Sequence, residues 1–176
     1  GFQNVETPAA LTGALALATP AIPPSNLGKY AIIPSGQSSP NYTIAYVNGK
    51  LSVTPAPLGI AANSATRLYG DANPAFSASY SGFKNGETSA ALAGTLALAT
   101  PAIPTSNVGT YAITPSGQSS TNYTISYIDG KLSVIPAALG IAANAAAKTY
   151  DGLAYSGGNG VIYTGFKGTD TAASLA

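Results

Sequence analysis

The sequence predicts a mainly β protein: a tandem, elongated array of small β-sandwich or β-grasp-like domains, each with at most one short helix. The first observation is internal repetition. Residues 82–144 repeat residues 1–63 at an offset of 81 without gaps, and 48 of the 63 positions are identical. A fixed period is typical of modular arrays. The second is a series of short β-type runs bounded by Gly, Pro and Asn. The third is a composition dominated by Ala, Gly, Ser, Thr and Pro.

Two Pro-Ala segments mark the predicted repeat boundaries, namely Pro55-Ala56-Pro57 and Pro136-Ala137-Ala138. They divide the chain into residues 1–57 (copy 1, the C-terminal part of a repeat), 58–138 (copy 2, a complete repeat) and 139–176 (copy 3, the N-terminal part of a repeat). Because proline favours extended backbone, we expect these linkers to be stiff. The chain begins in mid-repeat, so we expect it to be a piece of a longer protein.

Each copy contains the pattern Gly-Phe, then an acid, Thr, Ala-Ala and Leu, and in copy 3 one residue separates Ala-Ala from Leu. In copy 2 it runs from Gly82 to Leu92. An acid just before Ala-Ala-Leu indicates the first turn of a short helix near Ser89–Leu92, with its carboxylate at the positive end of the helix dipole. We therefore expect Glu6, Glu87 and Asp170 to be capping acids.

The next elements of copy 2 are predicted strands. Residues 95–100 alternate Leu with Ala or Thr, and residues 111–114 form a short strand that Pro115 ends, before a loop over 116–122. Residues 123–128 are expected to pair with residues 131–135 in a hairpin through Asp129-Gly130. Asx-Gly is the strongest local hairpin signal, and copy 1 has Asn48-Gly49 at the same place.

After each boundary we predict a strand, at residues 58–62 and again at 139–143. In copy 2 a turn at Gly70–Pro74 then precedes a strand over residues 75–80. Copy 3 has a Gly-rich turn and a strand at Val161–Thr164. A basic residue, one spacer, Tyr and a Gly/Asp turn are common to both copies.

Composition argues against several classes of function. The net charge is only +1, with 7 basic and 6 acidic residues, which predicts no binding to nucleic acid and no attraction to an anionic membrane. The longest apolar run, Ala14–Ala18, is too short to span a bilayer, so no membrane insertion of this segment is expected. Cys and His are absent, which removes the usual nucleophile–base pairs and zinc ligands.

We therefore predict no enzyme activity and assign no catalytic, cofactor-binding or metal-binding residues. Asp71 and Asn73 share one turn and could offer oxygens to calcium, but calcium needs six to eight ligands, so a structural turn is favoured. Asn41 and Asn122 begin Asn-Tyr-Thr sequons that we interpret as structural turn residues.

The eleven tyrosines are the unusual excess. Tyr can contact sugars or anchor interfaces. Most of these residues recur at the 81-residue period on predicted strands, in the pairs Tyr30/Tyr111, Tyr42/Tyr123 and Tyr46/Tyr127. Packing on sheet faces explains them without a ligand and is the favoured interpretation.

Four segments in order carry a family resemblance: Tyr69-Gly70-Asp71-Ala72-Asn73-Pro74, Gly82–Thr88, Asn107–Ile113, and Asn122–Ile125 with Gly130-Lys131-Leu132. Together they resemble the MBG repeat of the Tyr-Gly-x type. Copy 3, with Lys148-Thr149-Tyr150-Asp151-Gly152, resembles the Tyr-Asp-Gly type. Such repeats occur in tandem in large bacterial surface proteins and filamentous-haemagglutinin-like adhesins. The resemblance implies an exported, extracellular, modular protein of the bacterial cell surface and brings no defined binding site.

Three functions follow as hypotheses. The first is a stalk or spacer in a secreted surface adhesin, whose partners are the neighbouring repeats of the same chain. The second is a segment of a self-assembling extracellular fibre or biofilm matrix, whose partners are identical chains. The third is a module that binds host or matrix glycans or mucin, which predicts exposed aromatics clustered at one end of each repeat. Tyr80 and Tyr155, which do not recur at matched positions, would test the third.

Overall fold

The computed structural model describes residues 1–23 and 25–175. Its strands are short and confirm the predicted mainly β class. In chain order they are β1 (Ala16–Ala18), β2 (Gly28–Ser35), β3 (Gly49–Val53), β4 (Ala56–Ala62), β5 (Ala65–Leu68), β6 (Ala78–Ser81), β7 (Ala93–Ala99), β8 (Gly109–Ser119), β9 (Tyr123–Ile128), β10 (Gly130–Ile135), β11 (Gly140–Ala143) and β12 (Val161–Thr164).

The helices of the described residues are single 3₁₀ turns of three residues, at the same place in each copy: Pro8–Ala10, Ser89–Ala91 and Ala172–Ser174. The short helix predicted near Ser89–Leu92 is therefore confirmed. Each turn follows a threonine and is followed by a leucine. The backbone N–H of this leucine donates to the carbonyl oxygen of the first residue of the turn.

Copy 2 contains two sheets. One has the strand order β5-β10-β8-β7 and the other β6-β4-β9. Within the first, β10 runs parallel to β5 and antiparallel to β8. The buried core joins β4 to this sheet, since Ala62 packs in one cluster with Ile113, Leu132 and Val134. Both Ile113 and Leu132 are fully buried, and burial of such side chains contributes about 1.5–3 kcal/mol each.

The predicted hairpin over residues 123–135 is wrong. Strand β9 lies in the sheet of β4 and β6, whereas β10 pairs with β5 and β8, so the chain changes sheet at Asp129. A two-residue type I′ turn needs positive φ at both central residues, and neither Asp129 nor Gly130 has it. Gly130 is needed for space instead, because a Cβ there would lie 2.5 Å from the carbonyl oxygen of Ala62.

The predicted end of a strand at Pro115 is also wrong, as is the loop predicted over 116–122. Strand β8 runs on to Ser119. Its pairing with β10 ends at Ile113, so the strand needs no N–H donor toward β10 at Pro115, and a proline is tolerated there. The strand predicted over 75–80 begins later, at Ala78, while β4 begins earlier than predicted, at Ala56 within the Pro-Ala segment.

The flanking copies form separate sheets that correspond to parts of the two sheets of copy 2. Copy 1 has the antiparallel sheet β1-β2-β3, in which Gly49 pairs with Ile32 as Gly130 pairs with Ile113 in copy 2. Copy 3 has the antiparallel pair β11-β12, matching β4 and β6. The strand predicted at Val161–Thr164 is confirmed.

The chain divides into two compact units. Unit 1 comprises Gly1–Leu58, Gly82–Ala93 and Ser119–Ile125, and unit 2 comprises Gly59–Ser81, Gly94–Gln118 and Ser126–Ala176. The core cluster of copy 2 lies within unit 2. The repeat boundaries after residues 57 and 138 stay a prediction.

Candidate functional site: tyrosine, acid and arginine contacts at the repeat junctions

The recurring Gly-Phe-acid segment of copy 2 binds a tyrosine in unit 1. The hydroxyl of Tyr123 donates a hydrogen bond to the carboxylate of Glu87 and accepts one from the backbone N–H of Lys84 at 2.9 Å. The ring of Phe83 meets Tyr123 edge to face, with centroids 5.5 Å apart and planes at 85°. The hydrogen bond to the Glu87 carboxylate raises the pKa of Tyr123, because a tyrosinate would face a negative charge.

Copy 1 contains the same arrangement. Tyr42 donates to the Glu6 carboxylate and accepts from the backbone N–H of Gln3 at 2.8 Å. The ring of Phe2 lies edge to face on Tyr42 at 5.7 Å. Since residue 3 is Gln in copy 1 and its counterpart is Lys in copy 2, the contact depends on the backbone of that residue and not on its side chain.

The predicted helix-capping role of Glu6, Glu87 and Asp170 is wrong. No acid lies in the first turn of the 3₁₀ helices of the described residues. The cap of the turn in copy 2 is Thr88, whose Oγ1 accepts from the backbone N–H of Ala90 at 3.4 Å. Glu87 stands one residue before this cap, and its carboxylate is directed to the phenol of Tyr123 instead.

In unit 2 the equivalent acid of copy 3 contacts copy 2. The Asp170 carboxylate acts on the Tyr69 hydroxyl and raises the pKa of Tyr69. Beside it, Lys167 Nζ lies 3.0 Å from Asp71 Oδ1 in an ion pair. Copy 3 is therefore joined to the Tyr69-Gly70-Asp71 turn of copy 2 by two polar contacts.

An open apolar groove lies next to these contacts in unit 2. Its volume is about 240 Å³, and its lining includes Val108, Leu139, Phe166 and Leu175. A smaller groove of about 120 Å³ occurs at the matching junction within unit 1. Its lining includes Leu27, which corresponds to Val108. The grooves thus recur with the repeat.

Arg67 holds the same turn from inside copy 2. It is only 6% exposed. Its Nε donates to Asn73 Oδ1 at 2.8 Å, and its terminal nitrogens donate to the backbone carbonyls of Leu68, Ile103 and Pro104. Asn73 Nδ2 in turn donates to the carbonyl of Ala102 at 2.6 Å. The guanidinium therefore ties the turn to the loop that follows β7.

The sequence shows a basic residue before each tyrosine of the Gly/Asp turns but does not show the role of Arg67. The signal for this role is the residue type, because the five N–H donors of an arginine side chain can bind several carbonyl groups at once. The two residues weighed for calcium have protein partners: Asn73 Oδ1 accepts from Arg67, and Asp71 pairs with Lys167. In the described part of the chain no group of three or more acidic side chains could hold a metal ion.

Tyr111 and Tyr123 are packed in copy 2, as interpreted, whereas Tyr46 and Tyr127 are 40% and 38% exposed, so the packing of this third pair stays a prediction. Tyr111 packs against the core of copy 2 and donates to the carbonyl of Asn107 at 2.9 Å. Tyr127 donates to the carbonyl of Gln118 at 2.7 Å and accepts from its N–H at 2.8 Å. The expectation that Tyr80 does not recur is wrong, because Ile60 pairs with Tyr80 in copy 2 as Ile141 pairs with Tyr163 in copy 3. Tyr80 bonds the side chain of Gln118 at 2.8 Å, while Tyr155 is 54% exposed.

Comparison with known proteins assigns the chain to a family. Across the described residues, no helix has the length and hydropathy needed to cross a membrane. Neither the curated proteins nor the solved structures contain a match to the chain. The Tyr-Asp-Gly assignment of copy 3 stays a prediction, since the family match ends before that copy. Residues 1–52 and 58–133 match the family described as MBG domain (YGX type), and the chain belongs to this family of repeats.

Proposed function

We propose that the chain is a structural repeat segment of a secreted bacterial surface adhesin and acts there as a stalk or spacer in cell-surface attachment. Membership of the MBG family supports a repeat segment. The near-identity of copies 1 and 2 supports a spacer, because a spacer depends on repetition and not on one unique site.

The observation that carries this proposal is the way successive copies are joined. Strand β4 begins at Ala56, inside the Pro-Ala segment, and the N–H of Ala56 donates to the carbonyl of Asn122 at 3.0 Å. At the next junction, Tyr69 and Asp71 bind Asp170 and Lys167. A junction held by hydrogen bonds and an ion pair resists bending better than a free linker does.

The test is to measure length against copy number. Chains of two, four and six complete copies would be compared by small-angle X-ray scattering and negative-stain microscopy. A rigid spacer adds a constant length per copy, about 35–45 Å if one strand of β8 size spans a repeat at about 3.3 Å per residue. A maximum dimension that grows only as the square root of copy number would contradict the stalk.

A junction variant sharpens this test. Replacing Tyr69 by Phe and Asp71 by Ala in every copy removes both polar contacts to the following copy. We expect the same copies to fold but the rods to be shorter on average and more variable in length. Display of a defined binding tip on cells through one to six copies then tests attachment: tip binding should rise with the number of wild-type copies.

A self-assembling fibre is the second candidate, and a specific observation favours it. Strand β7 (Ala93–Ala99) is an edge of its sheet and contains no charged side chain. Uncharged edges are open to pairing with strands of other chains. Placing a lysine at Leu96 should prevent ordered filaments if β7 edges build them. Filaments that persist in this variant would show that the β7 edge is not the contact between chains.

A further inference from the structure

The four-stranded sheet of copy 2 joins its first and last strands directly. Along the chain its first strand is β5 and its last is β10, and the two pair in parallel, with Ala65–Leu68 beside Leu132–Ile135. The N–H of Tyr69 continues this pairing, because it donates to the carbonyl of Ile135 at 2.8 Å. Parallel strands need a long connection between them, and here that connection contains β6 to β9. The pair therefore closes a loop that contains most of the repeat.

Tension along the chain acts on this pair as shear. A pull from copy 1 reaches β5 through β4, since only Asn63 and Ser64 separate the two strands, and it draws β5 toward its amino end. A pull from copy 3 reaches β10 through Pro136, which follows that strand directly, and it draws β10 toward its carboxyl end. Because the strands are parallel, the two forces are opposed and lie along the strand axes.

Shear loads the hydrogen bonds of the pair together. The bonds of a parallel pair are evenly spaced along both strands, so each takes a share of the force and all must break for the strands to separate. If the first and last strands formed an antiparallel hairpin, the same two forces would act at one end of the pair. Its bonds would then open one after another under a smaller force.

Buried side chains also resist sliding of the two strands. Leu132 and Val134 of β10 lie in the core cluster and are 0% and 2% exposed. A slip by one residue would turn the other face of β10 toward the core, so no neighbouring register is favourable. On β5, the buried Arg67 donates to the carbonyls of Ile103 and Pro104 in the loop after β7. Both strands are therefore anchored by side chains as well as by their backbones.

We propose that the complete repeat is built to resist tension along the chain, and that the β5–β10 pair is its shear clamp. The shear clamp consists of residues 65–68 and 132–135. The residues between these strands carry no tension until the clamp slips, and they are then released in one step. The proposal rests on the proposed function only for the source of the tension, since a stalk that attaches a cell to a surface is pulled along its length.

Failure of this proposal is distinguishable from failure of the stalk. Copies joined by floppy linkers would fail the length test but would still release the clamped residues in one step, because the clamp lies inside one copy. Rods that add a constant length per copy would pass the length test, yet repeats that open strand by strand would contradict the clamp.

The first measurement is single-molecule stretching of the 176-residue chain, held by peptide tags fused to its two ends. The clamped segment, from Ala65 to Ile135, contains 71 residues, which extend to about 230–260 Å at about 3.3–3.6 Å per residue. Since its ends are close together in the fold, we expect one force peak followed by a gain in length of about 220–250 Å. Release of this segment in several smaller steps would overturn the proposal.

A reducible disulfide across the clamp assigns this step to the β5–β10 pair. Thr66 and Ser133 are direct partners in the pair, and neither is buried. Neighbouring strands lie about 4.8 Å apart, which suits the separation of about 4.4–6.8 Å between the Cα atoms of a disulfide. In the oxidised variant Thr66→Cys with Ser133→Cys the enclosed residues cannot extend, so the gain of about 220–250 Å should be lost. Reduction should restore it.

The matched control places a disulfide at the corresponding position of copy 1. Lys29 and Ser52 are direct partners in β2 and β3, both are exposed, and Ser52 corresponds to Ser133. Oxidised Lys29→Cys with Ser52→Cys encloses only residues 29–52, so the long step of copy 2 should remain. Thiol titration reports oxidation directly, because the natural chain contains no cysteine. A long step that persists in the oxidised clamp variant, or that is lost in the oxidised control, would overturn the proposal.

Discussion

The tyrosine–acid contact links one residue position to the pH dependence of stability. Tyr42 and Tyr123 each donate a hydrogen bond to a carboxylate, Tyr69 is influenced by the Asp170 carboxylate, and all three have a pKa raised above the usual 10.0. A group that binds its proton more tightly in the folded state stabilises the fold fully below its unfolded pKa. This contribution is lost as pH rises through the folded pKa.

We therefore predict that the urea midpoint of the chain falls as pH is raised from 8 to about 11, across the ordinary tyrosine pKa. Tyr123→Phe should be less stable at pH 8, because it lacks the hydrogen bond, and should lose less stability on going to pH 11. Glu87→Gln is the control: it retains an acceptor but removes the charge, so its midpoint should also change less with pH. Equal slopes in all three proteins would contradict this role.

Arg67 is the second residue for which burial and contacts predict a large effect. Arg67→Ala removes the donor from the Asn73 side-chain oxygen and the Ile103 carbonyl in a partly buried site, and hydrogen bonds to charged groups contribute about 1.5–3 kcal/mol each. We expect a loss of at least about 2 kcal/mol on this basis, measured by urea unfolding.

The matched control is Lys148→Ala, at the same repeat position in copy 3. Its side chain is 29% exposed and its ion pair with Asp151 lies at the surface. Surface ion pairs contribute less than about 1 kcal/mol, so this variant should unfold almost as the wild type does. Equal losses for the two variants would mean that the carbonyl contacts of Arg67 do not contribute.

At the scale of elements, Gly130 is where the chain leaves one sheet for the other. A Cβ at Gly130 would lie 2.5 Å from the oxygen and 2.9 Å from the carbon of the Ala62 carbonyl, both backbone atoms that cannot rotate away. Overpacking of this kind costs about 1–3 kcal/mol, and we predict such a loss for Gly130→Ala in denaturant unfolding.

Gly49→Ala provides the comparison. Gly49 holds the same position at the start of β3, but its nearest contact for a Cβ is the Ile32 side chain at 3.4 Å. We expect a change within about 0.5 kcal/mol, as for ordinary surface substitutions. If both substitutions cost the same, the position would require glycine for its backbone conformation and not for the approach of β4.

This sheet change also explains what can and cannot be predicted from the sequence. The strand at Val161–Thr164 and the turn at Ser89–Ala91 follow from local spacing, and both are confirmed. Asp129-Gly130 carries a local hairpin signal, but partner choice depends on Ala62, far away in the sequence. Likewise the local sequence predicts that Glu87 is a capping acid, but its hydrogen-bond partner Tyr123 is 36 residues away in the sequence.

At the scale of the whole molecule, the chain holds the same sequences in two environments. Residues 123–128 form a strand next to β4, and residues 42–47, with nearly the same sequence, form none. Similar sequences have similar intrinsic exchange rates, so a difference in amide protection between them reports the sheet in which residues 123–128 lie and not the local chemistry.

Hydrogen exchange measured by mass spectrometry therefore tests the whole molecule. Amides without strand partners exchange by local fluctuation, whereas those in a packed sheet require larger opening. At about 1 µM we expect residues 42–47 and 145–150 to exchange much faster than residues 123–128. If residues 42–47 are as protected as residues 123–128, this sequence forms a stable strand without a neighbour such as β4, and the expectation is wrong.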